Sequence, residues 1–186
     1  MTYNFLTDAD IHTVLKEEFK QGMTDSYFAG ESGSTFILKA EKTAIQQMKN
    51  KLCGRFQVDK LFVLPGEWDK NHPYVLGEYC LFKDVFYEAT RDNQGYQPGS
   101  DDNWEEHDPR DPLLVTYVAD ITVYHLHARN APRLMTELRV KRYDDAIKWL
   151  NGVMKNQENP DFPLLEDDPL HPLEYYIDTK ERRHYY

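Results

Sequence analysis

Between Asp111 and Met154 the sequence carries two helical patterns joined by a turn too short to separate them. From Thr136 to Met154, Val140, Tyr143, Ile147, Leu150 and Met154 recur at alternating spacings of three and four, widened by Ala146 and Val153. That spacing draws one apolar stripe on a helix and leaves Lys141, Arg142, Asp144, Asp145 and Lys148 for the solvated faces. The preceding helix, from Asp111 to Arg129, repeats the pattern through Leu114, Tyr117, Val118, Ile121 and Tyr124. Asn130-Ala131-Pro132 is the stop and restart between them, because proline lacks the amide donor and pre-sets φ for a first helical turn. So short a link predicts an antiparallel helix pair, on which the rest of the chain packs or from which it projects.

Two further helices precede this hairpin. Thr7 is placed to cap a helix that starts at Asp8, with Asp10 at the third position completing a shortened capping box. Ile11, Val14, Leu15 and Phe19 make its inner face, and Gly22 is its expected end. After a Gly- and Ser-rich loop over 23–34, a second helix is predicted from Thr35 to Gly54 on Leu38, Ala44, Ile45, Met48 and Leu52.

Over 57–110 the three-and-four spacing stops. Short apolar runs take over: Leu61-Phe62-Val63-Leu64, Tyr79-Cys80-Leu81-Phe82 and Val85-Phe86-Tyr87, parted by turn residues such as Pro65-Gly66 and Pro98-Gly99-Ser100. This predicts a small β-unit inserted between helices, with Lys83-Asp84 as a tight hairpin turn. From Asn156 onward, Pro160, Pro163, Pro169 and Pro172 stand among acidic residues, a composition that buries too little to fold alone. The expected fold class is thus mostly α, a short helical bundle of 1–56 and 111–155 with a small inserted β-sheet module at 57–110 (α+β overall) and an extended C-terminal arm at 156–186.

Charge narrows the partners. With 22 basic and 32 acidic residues the net charge is −10, which opposes tight nonspecific binding of DNA or RNA without preventing DNA from passing nearby. No signal peptide is expected, no membrane span is long enough, and Cys53 and Cys80 read as structural thiols of a reducing cytoplasm. His125 and His127 are two apart and point in different directions on a helix, while His72 and His107 have no partner at ligand spacing. Asp144-Asp145, Glu105-Glu106 and Glu166-Asp167-Asp168 read as solvated charge, since no glycine-bounded cation loop surrounds them. Without a convergent nucleophile, acid–base pair or phosphate-cradling loop, neither an enzyme nor a cofactor or metal is expected.

Three segments carry a resemblance. Ala119-Asp120-Ile121-Thr122-Val123-Tyr124-His125-Leu126-His127 is similar to a helix reading "A-D-I-A-R-Y-x-L-H". Val140 to Leu150 is similar to one reading "R-Y-x-D-A-x-x-W-L", and Ala44 to Phe56 closes on Leu52-Cys53-Gly54-Arg55-Phe56, like "L-x-G-R-Y". In this order the helices resemble the small head–tail adaptor (connector) proteins of tailed phages, particularly the Mu-like prophage family. Within the insert, Gly77-Glu78-Tyr79, Val85 to Ala89, Gly95, Pro98 and Trp104 resemble the chitin-binding type of carbohydrate-binding module. Arg91 stands where that module places its sugar-stacking aromatic, so the insert reads either as a glycan site using Trp68 or Tyr96, or as a borrowed fold used for protein contact.

The resemblance implies a structural virion protein, made in the bacterial host cytoplasm and located at the head–tail neck. Its subunits would form a twelve-fold ring beneath the portal, contact a tail or stopper protein, and let genomic DNA pass without specific binding; no membrane is involved. The helices would form the ring wall, with the insert on the outside. The arm would dock on the portal or neck through Tyr175, Tyr176, Ile177, Arg182, Arg183, Tyr185 and Tyr186. The alternative expectation is a virion protein that displays a carbohydrate-recognition module.

Overall fold

A computed structural model describes residues 5–15, 33–130 and 132–165. Helices α1 (Asp8–Val14), α2 (Gly33–Leu52) and the one-turn α3 (Val58–Leu61) precede five short strands. These are β1 (Pro73–Tyr74), β2 (Tyr79–Phe82), β3 (Val85–Ala89), β4 (Asn93–Gln94) and β5 (Trp104–Glu106). Helix α4 (Pro112–Asn130), a 3-10 turn (Pro132–Leu134) and α5 (Glu137–Met154) follow. The chain is therefore mixed α and β among the described residues, and no described helix is long and apolar enough to cross a membrane.

Helix α4 is the axis of the helical body. The predicted Leu114, Val118 and Ile121 are buried, but so are Ala119, Asp120, Thr122, Val123, Leu126 and His127. A helix buried on several faces is enclosed by its neighbours and does not float on a surface. Its start follows from sequence: Asp111 Oδ1 accepts from the amides of Leu113 and Leu114, at 2.9 Å each, ahead of Pro112 at the first helical position. The expected antiparallel pairing with α5 holds, because Tyr117 meets Trp149 while Tyr124, one end further on, meets Tyr143. Helix α2 runs parallel to α5: Gln47 bonds Tyr143, and Lys51 bonds Asn151.

Two helix faces differ from the expectation. On α5 the buried residues are Ala146, Leu150, Gly152 and Val153, with Tyr143, Ile147 and Trp149 half-buried, whereas Val140 is 39% and Met154 50% exposed. The stripe is rotated because α5 packs on α4 and α2 together, so its contact face lies between them. On α2 the core is Ile37, Ala40, Glu41, Ala44, Met48 and Leu52, and the predicted Leu38 and Ile45 stand at its edge.

Helix α1 has the predicted capping box, with Thr7 N donating to Asp10 Oδ2 at 2.7 Å and Asp10 N to Thr7 Oγ1 at 3.3 Å. It stops at Val14, short of the expected Gly22, and Leu15 is already extended. The Val14 carbonyl, which a longer helix would give to an amide one turn on, instead accepts from Arg139 Nη2 of α5. Phe19 and Gly22 lie outside the described residues.

The insert is a three-stranded antiparallel sheet, β2-β3-β5, beside a two-stranded β1-β4 ladder. Lys83 and Asp84 both take positive φ, +52° and +63°, the conformation of the two-residue hairpin turn whose twist matches its strands. Tyr74, Cys80, Ala89 and Trp104 form a separate small core under Trp68 and Tyr87. The run Leu61-Phe62-Val63-Leu64 is no strand: Val58–Leu61 is helical, Phe62 packs edge-on against Phe5 at 5.5 Å, and Val63 is exposed. Phe62 belongs to the helical core, so the helical body continues past residue 57.

The segment expected to be an arm from Asn156 also begins inside the folded body. Asn156 takes φ +58°, Gln157 N donates to Gly152 O at 2.8 Å, and Asn156 N to Val153 O at 3.1 Å. This Schellman turn ends α5 and reverses the chain. Phe162 is then buried against Phe56 and Trp149. Gln57 N donates to Pro163 O and Leu165 N to Arg55 O, both at 2.9 Å, pairing 163–165 with the exit from α2.

Candidate functional site

The residues that bind the helices together lie where the three sequence segments meet. Gln47 Nε2 donates to Tyr143 Oη and Gln47 Oε1 accepts from His125 Nε2, each at 3.0 Å. Tyr143 stacks on Tyr124 with ring centroids 3.9 Å apart and planes 16° off parallel. One amide thus reads α4 and α5 at once. Burial, with Arg129 adding to it, pushes the His125 imidazole below its usual range, which keeps it neutral and suited to this single donated bond.

A cleft of about 230 Å³ opens beside this cluster, lined by Phe36, Lys39, Ala40, Thr43, His125, Leu126 and Arg129. None of these is a carboxylate or a thiol, so the lining pairs no acid with a base. Elsewhere in the core, His127 Nδ1 donates to Val123 O at 2.9 Å and burial again lowers its affinity for a proton. Burial raises the Asp120 carboxyl against the pull of Arg142, 3.8 Å away, and of Arg139. Among the described residues no group of three His, Cys, Asp or Glu is placed to hold a metal ion. Cys53 is exposed and Cys80 buried, both as free thiols, the latter pushed up to about 11 by burial.

The insert is held to the body by Arg110. Its guanidinium is nearly buried, with Nη1 donating to Asp10 Oδ2 and Phe5 O and Nη2 to Asp108 Oδ2, all at 2.7 Å. Its face lies 4.4 Å from the Phe86 ring centroid of β3. Burial works against the charge, but the bonds to Asp108 and Asp10 outweigh it and hold the proton more firmly than usual. Glu41 does similar work for the N-terminal segment: Oε1, fully buried, accepts from Phe5 N at 2.7 Å and Leu6 N at 2.8 Å.

Within the insert, Tyr96 is 54% exposed, its carbonyl fixed by Trp104 Nε1 at 2.9 Å. Arg91 is exposed and donates to Asp102 O at 3.3 Å. Trp68 is half-buried, edge-on to Phe82 at 5.6 Å, with Nε1 buried and unbonded, so it offers no open face comparable to Tyr96. The insert's histidines do have partners, though not metal-binding ones: His72 Nε2 lies 2.7 Å from Glu78 Oε1 and His107 Nδ1 2.7 Å from Glu88 Oε2. The bonds from His107 and then Tyr79 hold Glu88 below the ordinary carboxylate range. Asp144, Asp145, Glu105 and Glu106 are exposed. Glu166-Asp167-Asp168 and the docking candidates Tyr175, Tyr176, Ile177, Arg182, Arg183, Tyr185 and Tyr186 lie outside the described residues.

Sequence reasoning missed Gln47, Glu41 and Arg110. Glu41 had a signal, sitting at core spacing with Ile37, Ala44 and Met48 as the one carboxylate of an otherwise basic helix. Arg110, inside Asp108-Pro109-Arg110-Asp111, reads as a solvated turn and gave none. No protein-family model, no curated protein and no solved structure matches this chain.

Proposed function

We propose that the chain is a structural virion protein, a head–tail connector subunit that assembles as a ring beneath the portal of a tailed phage. The observation that carries this reading is the convergence of the three connector-like segments on one cluster: Gln47 from the first, Tyr124 and His125 from the second, Tyr143 from the third. The three segments are the packed helices α2, α4 and α5, and this cluster ties them into one unit.

In this reading the helices form the wall and the residues after Leu165 reach the portal. The net charge of −10 is carried mainly outside the helices. Residues 1–56 and 111–155 hold fourteen basic and twelve acidic side chains, whereas 57–110 holds five basic and twelve acidic and 156–186 three basic and eight acidic. A helical wall so nearly balanced in charge has little net pull on the phosphate backbone.

Truncation must spare Phe162, whose loss would open the Phe56 and Trp149 packing. A chain ending at Leu165 should keep its helical circular dichroism and lose co-sedimentation with portal-bearing capsids of the encoding phage. Failure of the full-length chain to bind such capsids would refute the connector assignment.

One observation favours a second reading, a glycan contact through the insert: Tyr96 is an aromatic residue open to solvent there. Retention on a chitin or glycan matrix that is lost on Tyr96→Ala would favour it, and absence of retention would remove it.

A further inference from the structure

We infer that the cleft between α1, α4 and Arg142 of α5 is a binding site for a small zwitterion, an aliphatic α-amino acid. The cleft, of about 340 Å³, lies at the small end of the range for ligand pockets. Its α4 wall is one side of the helix, since Val115, Thr116, Ala119 and Asp120 follow the spacing of residues that share a face.

Asp120 is the group that calls for a ligand. Its side chain is only 10% exposed and lines the cleft, yet no described residue donates a hydrogen bond to it. Arg142 Nη1 stands 3.8 Å from Oδ1, beyond hydrogen-bond distance. A carboxylate taken this far out of water without a close donor is costly. Burial accordingly makes it hold a proton more readily than usual, against the pull of Arg142 and Arg139.

The other groups of the lining define what would satisfy it. Thr116 Oγ1 donates to Pro112 O at 2.8 Å and Thr13 Oγ1 to Asp10 O at 2.7 Å, so both hydroxyls have spent their protons inside their own helices and can only accept. Asp10 already holds Arg110 through Oδ2, which matches its charge. A wall of acceptors takes a group with several donors, and a primary ammonium has three. Arg142 is the cation of the lining, half open to solvent, and takes a carboxylate.

A lone cation would meet Arg142 and Arg139, and a lone anion would meet Asp120 and Asp10. An α-amino acid carries its two charges one carbon apart, which suits a carboxylate and a guanidinium 3.8 Å from each other. Val14, Val115 and Ala119 complete the lining with hydrocarbon, so the side chain it accommodates is aliphatic. The bound ammonium donates to Asp120, and the bound carboxylate accepts from Arg142.

The experiment is titration of the isotope-labelled full-length chain with L-alanine, L-valine and L-leucine, followed by amide chemical shifts. At least one of them, raised to about 10 mM and so well above a millimolar dissociation constant, should shift the amides of Val14, Val115, Thr116 and Ala119 saturably. Isobutylamine and 3-methylbutanoate are valine without its carboxylate and without its ammonium. Each should bind at least about tenfold more weakly than L-valine, the loss expected for one charge-assisted hydrogen bond. Asp120→Asn and Arg142→Gln should weaken the amino acid to the same degree. Arg142→Gln alters an exposed side chain and carries the test if the Asp120 variant does not fold. Absence of saturable shifts with all three amino acids, equal binding of either single-charge analogue, or parental affinity in the Arg142→Gln chain would overturn the site.

Discussion

Arg110 donates to Asp10 Oδ2 at 2.7 Å across 100 residues of sequence, joining the end of the β-insert to the first turn of α1. The same guanidinium caps the Phe5 carbonyl and lies over Phe86, so one side chain fixes the insert against the helical body.

Replacing Arg110 by Ala should destabilise the protein by about 3 kcal/mol. The low end of the range for buried ion pairs applies because Asp10 and Asp108, with side chains 17% and 44% exposed, can recover water. Arg110→Lys should fall between, keeping charge but losing the planar fork. Urea midpoints measure both, and a loss below about 1 kcal/mol for Ala would show that Arg110 is not the clamp.

Glu41→Leu should cost about 2 kcal/mol or more, because the amides of Phe5 and Leu6 would be left buried without an acceptor. Glu41→Gln keeps an oxygen in place and should lose less. Hydrogen exchange at Phe5 and Leu6 is the readout: fast exchange is expected in the Leu variant, and protection equal to the parent would contradict the anchor.

At the helical centre, Tyr143→Phe removes one hydrogen bond to Gln47 and should cost about 1 kcal/mol. A double-mutant cycle between Tyr124→Ala and Tyr143→Ala should give a coupling of about 0.5–1.5 kcal/mol for the stacked pair. Strict additivity would mean that the rings touch without contributing.

Half-buried His125 and buried His127 set a direction for pH dependence. His125 and His127 have folded pKa values below the ordinary value of about 6.5, so the unfolded chain binds protons more readily in the window just beneath it. Stability should therefore rise with pH through that window and fall on acidification. His127→Gln should flatten the slope in a melting-temperature series from pH 7 to about pH 5. A parent slope of the opposite sign would exclude this assignment.

In the insert, Asp84→Gly relieves a non-glycine residue at φ +63° in a two-residue turn and should stabilise the hairpin by about 0.5–1 kcal/mol. A lowered melting temperature would mean that the Asp84 side chain holds the turn by a contact of its own.

Periodicity alone located α2, α4 and α5 within a few residues, the Thr7–Asp10 capping box and the Lys83–Asp84 hairpin. Those features are local: a stripe at three and four, an oxygen three residues from an amide, two residues between alternating runs. The sequence by itself also determined the overall net charge of −10. What it did not determine was partnership. Which face of α5 turns inward, where α1 ends, that Phe62 and Phe162 serve the helical core, and that Arg110 and Glu41 are buried were all decided in tertiary structure. The reason is that burial and capping depend on groups supplied from elsewhere in the chain: Arg139 ends α1 from more than a hundred residues away, and no local pattern records it.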